Sequence, residues 1–521
     1  MTEPGGICRV VLTGQDLTLE EFVAVCRGGA EVVLSAQAME AMRRSRALAE
    51  KIAREKRVAY GITTGFGDFA RVAVPEQMSN QLSTNLILSH CTATGAPYRG
   101  DIVRGVMLLR ANALCAGYSG VRPVLVELLV QMLNCGLTPV IPEKGSLGAS
   151  GDLAPLSHMG LVLLGRGEAF YRGQRLPGLE AMRRAGLKPL DTLVCKEGLG
   201  ITNGTCAMTS VGALHLYDTL RAAELADLIA SMSFTALTGQ LDAFQARVHA
   251  VRGQPGQMLV AKNLRLLTEG SELIARCQGA RVQDAYALRC IPQVHGAVRD
   301  SLAYIRSRVD LELNAVTDNP LLFPEDEAVI SGGNFHGEPM ALPFDFLAIA
   351  CAELASISER RTERMVNAAL SNGLPPFLTV RPGVNSGFMI VQYSAASMVS
   401  ENKVLAHPAS VDSIPSSANQ EDMVSMGTTA ARKAGWVLEN TRSVLAFELL
   451  TACQALELRQ RSGEYGSGLS PIHAAVLARV REEIPFMDAD REIRLDIEKI
   501  EALVRGGELT ALLRRLVPEF T

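Results

Sequence analysis

Gly145-Ser-Leu-Gly-Ala-Ser-Gly-Asp-Leu-Ala-Pro-Leu-Ser-His158 is the stretch on which the reading of this chain turns. Glycines at 145, 148 and 151 remove Cβ atoms from a short span, so the backbone can adopt φ values and close approaches that other residues forbid. A chain bent that tightly can react with itself. If the Gly151 amide nitrogen is pushed onto the Ala149 carbonyl carbon, a five-membered ring closes, and loss of water from the ring and from the Ser150 side chain leaves an exocyclic methylidene. That group is an electrophile that no encoded side chain provides. The plainer reading of a Gly/Ser/Ala run is a flexible turn. Two other readings fail on spacing. A phosphate loop needs a Lys-Ser/Thr pair after its last glycine, where Asp152 stands and would repel phosphate. A nucleophile elbow needs a residue between serine and glycine, and Ser150 abuts Gly151.

The string from Gly145 to Pro155 resembles the segment from which the aromatic amino acid ammonia-lyases and the related aminomutases build a methylidene-imidazolone prosthetic group. The resemblance implies that Ala149, Ser150 and Gly151 cyclise autocatalytically, with no external cofactor. It extends in recognisable motifs over essentially the whole chain.

Composition agrees with a large helical protein. The chain has 521 residues, 48% of them hydrophobic but only 5% aromatic, so its core is filled mostly by Leu, Ala, Val and Ile, which suits closely packed helices. Lys plus Arg number 51 against 55 Asp plus Glu, a balance that does not favour nucleic acid as a partner. The 11 cysteines are scattered without a Cys-x-x-Cys pair, and read as buried free thiols in a reducing compartment. The start, Met1-Thr-Glu-Pro-Gly-Gly, lacks the charged and apolar regions of a signal peptide, and no uninterrupted apolar run reaches membrane-spanning length. A cytoplasmic protein without a membrane partner is expected. The 8 histidines form neither His-x-x-x-His nor His-Glu-x-x-His, so no metal site is expected either.

Along the chain, Val10-Val-Leu12 reads as a short strand and Leu17 to Cys26 as helix. Tyr60-Gly-Ile-Thr-Thr-Gly-Phe-Gly67 cannot hold a stable helix and places one phenol on a loop. Helix returns over 78–90, ending in Ser89-His90, and again to about Leu114; Leu125, Leu128, Leu129 and Met132 then mark one helix face. Ala169-Phe-Tyr171 and Gln174-Arg-Leu176 flank Arg172-Gly173 as a small hairpin. Gly198-Leu-Gly-Ile-Thr-Asn-Gly204 has the wrong spacing for a dinucleotide fingerprint, and leads into a helical region from Ala207 to about His249. Gln283, Tyr286 and Arg289 lie three apart and share a face if that segment is helical. Long helices are expected from about Met340 to Leu370, Phe388 to Lys403 and Met426 to Arg459, before an amphipathic helix on Ile493, Ile497 and Ile500. Helices this long require bundle partners. The expected class is mainly α, a long central bundle with a smaller N-terminal region of loops and short strands. Residues 1–200 carry the reactive stretch and the tyrosine loop, and 201–521 the long helices.

An electrophilic methylidene invites attack by an amine, which suggests an amino acid substrate. Loss of ammonia then requires a base for the weakly acidic β-proton and a cation for the carboxylate, which Arg289 can hold bidentately. The resemblance assigns the remaining roles. Tyr60 matches the mobile-loop tyrosine that serves as β-proton base, for which a phenol pKa near ~10 must be depressed. Asn203 matches the asparagine beside the prosthetic group. Tyr286 and Arg289 match a catalytic pair in which the arginine takes the carboxylate, with Gln283 next to them, and Phe335 matches a pocket-lining phenylalanine. The family fold implies a homotetramer whose active sites draw on three subunits.

Within the family, Ser89-His90 occupies the selectivity pair in its histidine-specific form, and Glu421 in Ala-Asn-Gln-Glu-Asp matches the carboxylate placed near the substrate imidazole. The resemblance therefore implies elimination of ammonia from L-histidine to urocanate. Thr63, the run Cys91-Thr-Ala-Thr94 and Met423 depart from the histidine pattern. Tyrosine or phenylalanine ammonia-lyases and the corresponding aminomutases use nearly the same residues and stand as alternatives; a catalytically inactive helical scaffold is the reading of another class.

Overall fold

Runs of Ala, Leu, Ser and Thr build three long helices, Cys206–Ala236, Glu338–Val366 and Gly427–Ser462, which pack together at the centre of the computed structural model. The structure describes residues 6–521; Met1–Gly5, most of the run read for a signal peptide, lie outside the described residues. Small side chains let these helices approach closely. A Cβ on Gly212 would lie 2.1 Å from the Phe344 ring, and one on Gly435 would lie 2.3 Å from the His215 ring, so each ring fills the space that a larger residue would need. Between the same helices Arg361 and Glu448 form a bidentate pair of 2.5 and 2.9 Å with no side-chain exposure, and Ser233 Oγ donates to Glu448 at 2.7 Å. Removing one partner of such a pair costs about 3–5 kcal/mol, because the other charge stays buried alone.

Further helices surround this core. Ile291–Glu312 packs on Glu338–Val366, Met389–Leu405 on Gly427–Ser462, and Gly100–Cys115 on Cys206–Ala236. Strands are short and confined to small sheets. Arg9–Leu12 runs parallel to Glu31–Leu34 with Val10 opposite Val32, and the Glu168–Tyr171 and Gln174–Pro177 hairpin takes Thr138–Pro139 as a third strand. The chain is thus mainly helical, with a large central bundle and a smaller N-terminal region of strands and loops, as its composition and periodicity imply.

Two boundaries differ from the sequence reading. The helix expected to run from Ala207 to about His249 stops at Ala236, because Thr238 turns left-handed (φ 55°) and the Gly239 amide closes the end on the Phe234 carbonyl at 2.9 Å. Between Cys277 and Ile291 only Tyr286–Arg289 is helical, which leaves Gln283 in an irregular segment. Glu338–Val366 reaches a mean hydropathy of 1.7 and is long enough to cross a membrane, although Asp345 and Glu353 interrupt its apolar sequence. Its hydropathy belongs to a core helix: Phe344, Leu347, Cys351 and Leu354 are buried against its neighbours.

Candidate active site

The 145–151 loop lies between the Pro142–Lys144 strand and the Leu153–Leu163 helix, and hydrogen bonds hold it from three sides. Met426 N donates to Leu147 O at 2.9 Å; Gly337 N and Ser425 Oγ donate to Gly148 O at 3.3 and 3.1 Å. Gly204 N donates to Ser150 O at 3.2 Å, and Asp152 N to Gly204 O at 2.8 Å. Among the described residues, the Ala149 carbonyl oxygen and the Gly151 amide nitrogen have no hydrogen-bond partner. These are the two groups that ring closure would join. Gly151 adopts φ 74°, and a Cβ there would lie 2.1 Å from Gly204 O, so only glycine fits. The local backbone therefore suits formation of the prosthetic ring.

Asp152 anchors this loop to the bundle. Its buried carboxylate accepts from Ser146 Oγ at 2.7 Å, from Ala207 N and Met208 N at 2.8 and 2.9 Å, and from Thr428 Oγ1 at 2.5 Å. It thus sits at the N-terminus of one long helix, where a negative charge is favoured, and touches the first turn of another. Sequence reasoning saw Asp152 only as a residue that repels phosphate, since three of its four donors come from distant segments. It missed Lys196, Asp318 and Arg110 as well. Lys196 Nζ meets Asp318 Oδ2 at 2.7 Å with neither side chain exposed, and Arg110 Nη1 donates to the Asn203 carbonyl oxygen. The one available signal was Arg110 itself, a charge inside the apolar run Val106-Met-Leu-Leu-Arg110.

A cavity of ≈ 1020 Å³ brings together Tyr60, Ser89, His90, Ser150, Asn203 and Glu421, with Phe66, Phe69, Val72 and Leu86 as apolar walls. A smaller space of ≈ 250 Å³ adjoins it and is lined by Ala149, Gly151 and Ser146, sharing Ser150, His90 and Glu421. Glu421 spans the join: its Oε1 accepts from Ser150 Oγ and its Oε2 from Ser416 Oγ, both at 2.9 Å. Ser89 Oγ donates to Asn85 O at 2.8 Å, so towards His90 Nδ1, 2.9 Å away, it accepts. That places the ring proton on Nδ1 and leaves Nε2 as an acceptor. Burial holds the His90 pKa below its usual 6.5, with Glu421 opposing, so the ring is neutral near pH 7.

The depression expected for the Tyr60 phenol is not present within one chain. Burial pushes its phenol above the usual value of 10, the Glu421 carboxylate adds to the rise, and only the Gly67 N–H, donating to Oη at 2.9 Å, opposes it. Within a single chain, then, the phenol is not depressed as a base requires.

The other expected residues lie elsewhere. Gln283, Tyr286 and Arg289 do touch one another: Arg289 donates to Gln283 Oε1, and its guanidinium lies 4.7 Å over the Tyr286 ring. They line neither cavity of their own chain, and Tyr286 is 70% exposed. Phe335 is half-buried outside both cavities, two residues before Gly337 and its bond to Gly148. Thr63 donates to Arg57 O at 2.7 Å and accepts from Ala59 N at 2.9 Å, which makes it a brace of the tyrosine loop and no part of the cavity wall. Met423 is 57% exposed and lines neither cavity. Thr63 and Met423 thus leave the histidine-type pair of His90 and Glu421 untouched within the chain.

Comparison with known proteins places this geometry. A family model described as aromatic amino acid lyase matches residues 17–482. The chain is 56% identical to the histidine ammonia-lyase of Caldanaerobacter subterraneus subsp. tengcongensis over 97% of its own length and 98% of the relative's. Among solved structures it is similar to histidine ammonia-lyase from Trypanosoma cruzi, with 40% identity, TM-score 0.90 and coverage of 98% and 96% of the two chains. It is also similar to tyrosine aminomutase from Streptomyces globisporus, with 37% identity, TM-score 0.93 and coverage of 98% and 99%.

Proposed function

The chain belongs to the aromatic amino acid lyase family, and on that premise we propose that it is a carbon–nitrogen lyase that eliminates ammonia from L-histidine to give urocanate. One observation carries the substrate: His90 and Glu421 face one cavity across Ser150, both offering acceptors to a ring. A phenyl ring would leave both unmatched, at roughly 1–3 kcal/mol for each unmade bond. Two acceptors best suit the protonated imidazole, whose positive charge also acidifies the neighbouring β-carbon proton. The name of the relative at 56% identity agrees with this choice.

Ala149, Ser150 and Gly151 are the source of the methylidene-imidazolone. That group supplies an electrophile for the substrate amino nitrogen and so turns it into a leaving group. Tyr60 takes the β-proton on Oη, where the Gly67 N–H already favours the phenolate. His90 Nε2 and Glu421 orient the imidazole, and Phe66, Phe69 and Val72 provide apolar walls beside it.

The active unit in this reading is a homotetramer with shared sites. Arg289 serves the substrate carboxylate of a neighbouring copy, and its charge lowers the Tyr60 phenol that burial and the Glu421 carboxylate raise. Leu311, Phe346 and Ile349 are exposed apolar residues on bundle helices, as subunits that pack together require.

The test is direct. The purified protein is given L-histidine, L-tyrosine and L-phenylalanine separately, with urocanate, coumarate and cinnamate followed by absorbance and β-amino acids by chromatography. L-histidine should give the highest kcat/KM; a β-amino acid as main product would make the protein an aminomutase. Intact mass should fall about 36 Da below the encoded value, for two waters lost in the covalent modification.

A further inference from the structure

Behind the cavity lies a buried ion pair whose arrangement fixes one of the cavity's own groups; the argument rests on the functional reading above. Asn203 follows the Glu197–Thr202 helix and is buried. Its Nδ2 donates to the Asn319 carbonyl oxygen at 2.9 Å and lies 3.4 Å from Asp318 Oδ1. A side-chain amide can be turned end for end, but both of these partners are acceptors only, so only the Nδ2 end can face them. Oδ1 is thereby turned the other way. It has no partner among the described residues, and Asn203 lines the cavity together with Tyr60 and Ser150.

Asp318 has no freedom to swing. Lys196 Nζ holds its Oδ2 at 2.7 Å, the Asn319 amide donates to its Oδ1 at 2.7 Å, and both charged side chains are wholly buried. Arg110 secures the backbone at the same point through the Asn203 carbonyl oxygen.

We propose that Asp318, clamped by Lys196, is a positioning residue that holds the Asn203 amide with its carbonyl oxygen towards the cavity, where it accepts a hydrogen bond from the substrate amino group. An acceptor at that point attracts an ammonium or amine N–H and repels a carboxylate. It therefore orients the amino acid with its nitrogen towards the Ser150 position, which ammonia loss requires.

A double-mutant cycle on the assembled enzyme tests this, run with whichever of the three aromatic amino acids it turns over fastest. Lys196→Met combined with Asp318→Asn removes both charges together, so neither is left buried alone. With Asn203 present, this change should lower kcat roughly tenfold to a hundredfold, with a smaller effect on KM and with the ring absorbance retained. In an Asn203→Ala background the same change should alter kcat by less than about twofold, since the positioned group is already gone. Equal losses in both backgrounds, or full activity of the pair variant, would overturn the proposal. Crystals of the Ser150→Ala variant with L-histidine decide it independently if the pair variant fails to assemble. Asn203 Oδ1 within hydrogen-bond reach of the amino nitrogen supports the assignment, and Nδ2 turned onto the substrate carboxylate overturns it. An unsubstituted enzyme that releases ammonia from none of the three amino acids removes the functional reading and this proposal together, whereas failure of the cycle in an active enzyme removes the proposal alone.

Discussion

Ser150 Oγ donates a hydrogen bond to Glu421 Oε1 at 2.9 Å across 271 residues of sequence. The hydroxyl that must leave to form the methylidene thus occupies a lone pair of the carboxylate assigned to the substrate ring. Loss of that hydroxyl frees Oε1 while Ser416 still holds Oε2. Glu421→Gln should therefore keep the ring absorbance and lower kcat/KM for L-histidine roughly 10- to 100-fold, with much less effect on any residual tyrosine turnover. Equal losses on both substrates would show that Glu421 does not read the imidazole.

Gly151 tests the ring chemistry more sharply than Ser150 does. Its φ of 74° and the Gly204 oxygen 2.1 Å from any added Cβ mean that Gly151→Ala must displace the backbone whose nitrogen attacks. The variant should keep its encoded mass and lack the ring absorbance. A mass about 36 Da low in this variant would show that the backbone can still close.

Shared sites predict complementation. Tyr60→Phe alone should keep the ring absorbance but lose about 10²- to 10⁴-fold in rate, and Arg289→Ala should fail separately. When the two chains are produced together, about a quarter of the sites at equal expression draw both intact residues, so mixed assemblies should regain activity. Mixtures no more active than their parents would place Arg289 and Tyr60 at the same chain's site.

Two buried imidazoles, His473 and His215, should contribute to the pH dependence of stability. Burial lowers His473 to about 3 and His215 to about 4, from 6.5. Both folded values are depressed, so below pH 6.5 the unfolded chain binds more protons. The stabilisation is complete above that value, declines as pH falls towards 4 and 3, and then levels off. At pH 5 each group should cost roughly 2 kcal/mol relative to pH 7.5. Urea midpoints at the two pH values measure the loss, and His473→Gln should reduce it by roughly 2 kcal/mol; identical pH dependence in wild type and variant would exclude His473.

How much of this was legible beforehand follows from the range of the interactions involved. The reactive stretch is local, and so is helical periodicity, which is why Pro123–Cys135 and Met389–Leu405 fall close to where their patterns put them. Pairing of Arg9–Leu12 with Glu31–Leu34 is not local, and Glu31-Val-Val-Leu34 is too short to announce itself. Asp152 takes three of its four donors from residues 55, 56 and 276 positions away, and Lys196 finds Asp318 after 122, so no spacing rule could join them. Thr63 drew notice as a variable position, yet its hydroxyl serves the backbone at Arg57 and Ala59. The expected depression of the Tyr60 phenol needs a positive charge, and the groups facing it within one chain are a carboxylate and one amide.

The interlock of Gly212 with Phe344, and of Gly435 with His215, has a consequence for the routes by which such a sequence can change. Neither glycine can gain a side chain until the ring opposite has shrunk, and shrinking that ring first opens a void costing about 3–5 kcal/mol for a phenylalanine. The first step of either route is therefore a loss, and only the paired change is viable. The same helices present Ala207, Met208 and Thr428 to Asp152, so a lineage that altered their spacing would also shift the ends that hold the reactive loop. Selection for the chemistry thus constrains residues deep in the bundle that never meet the substrate.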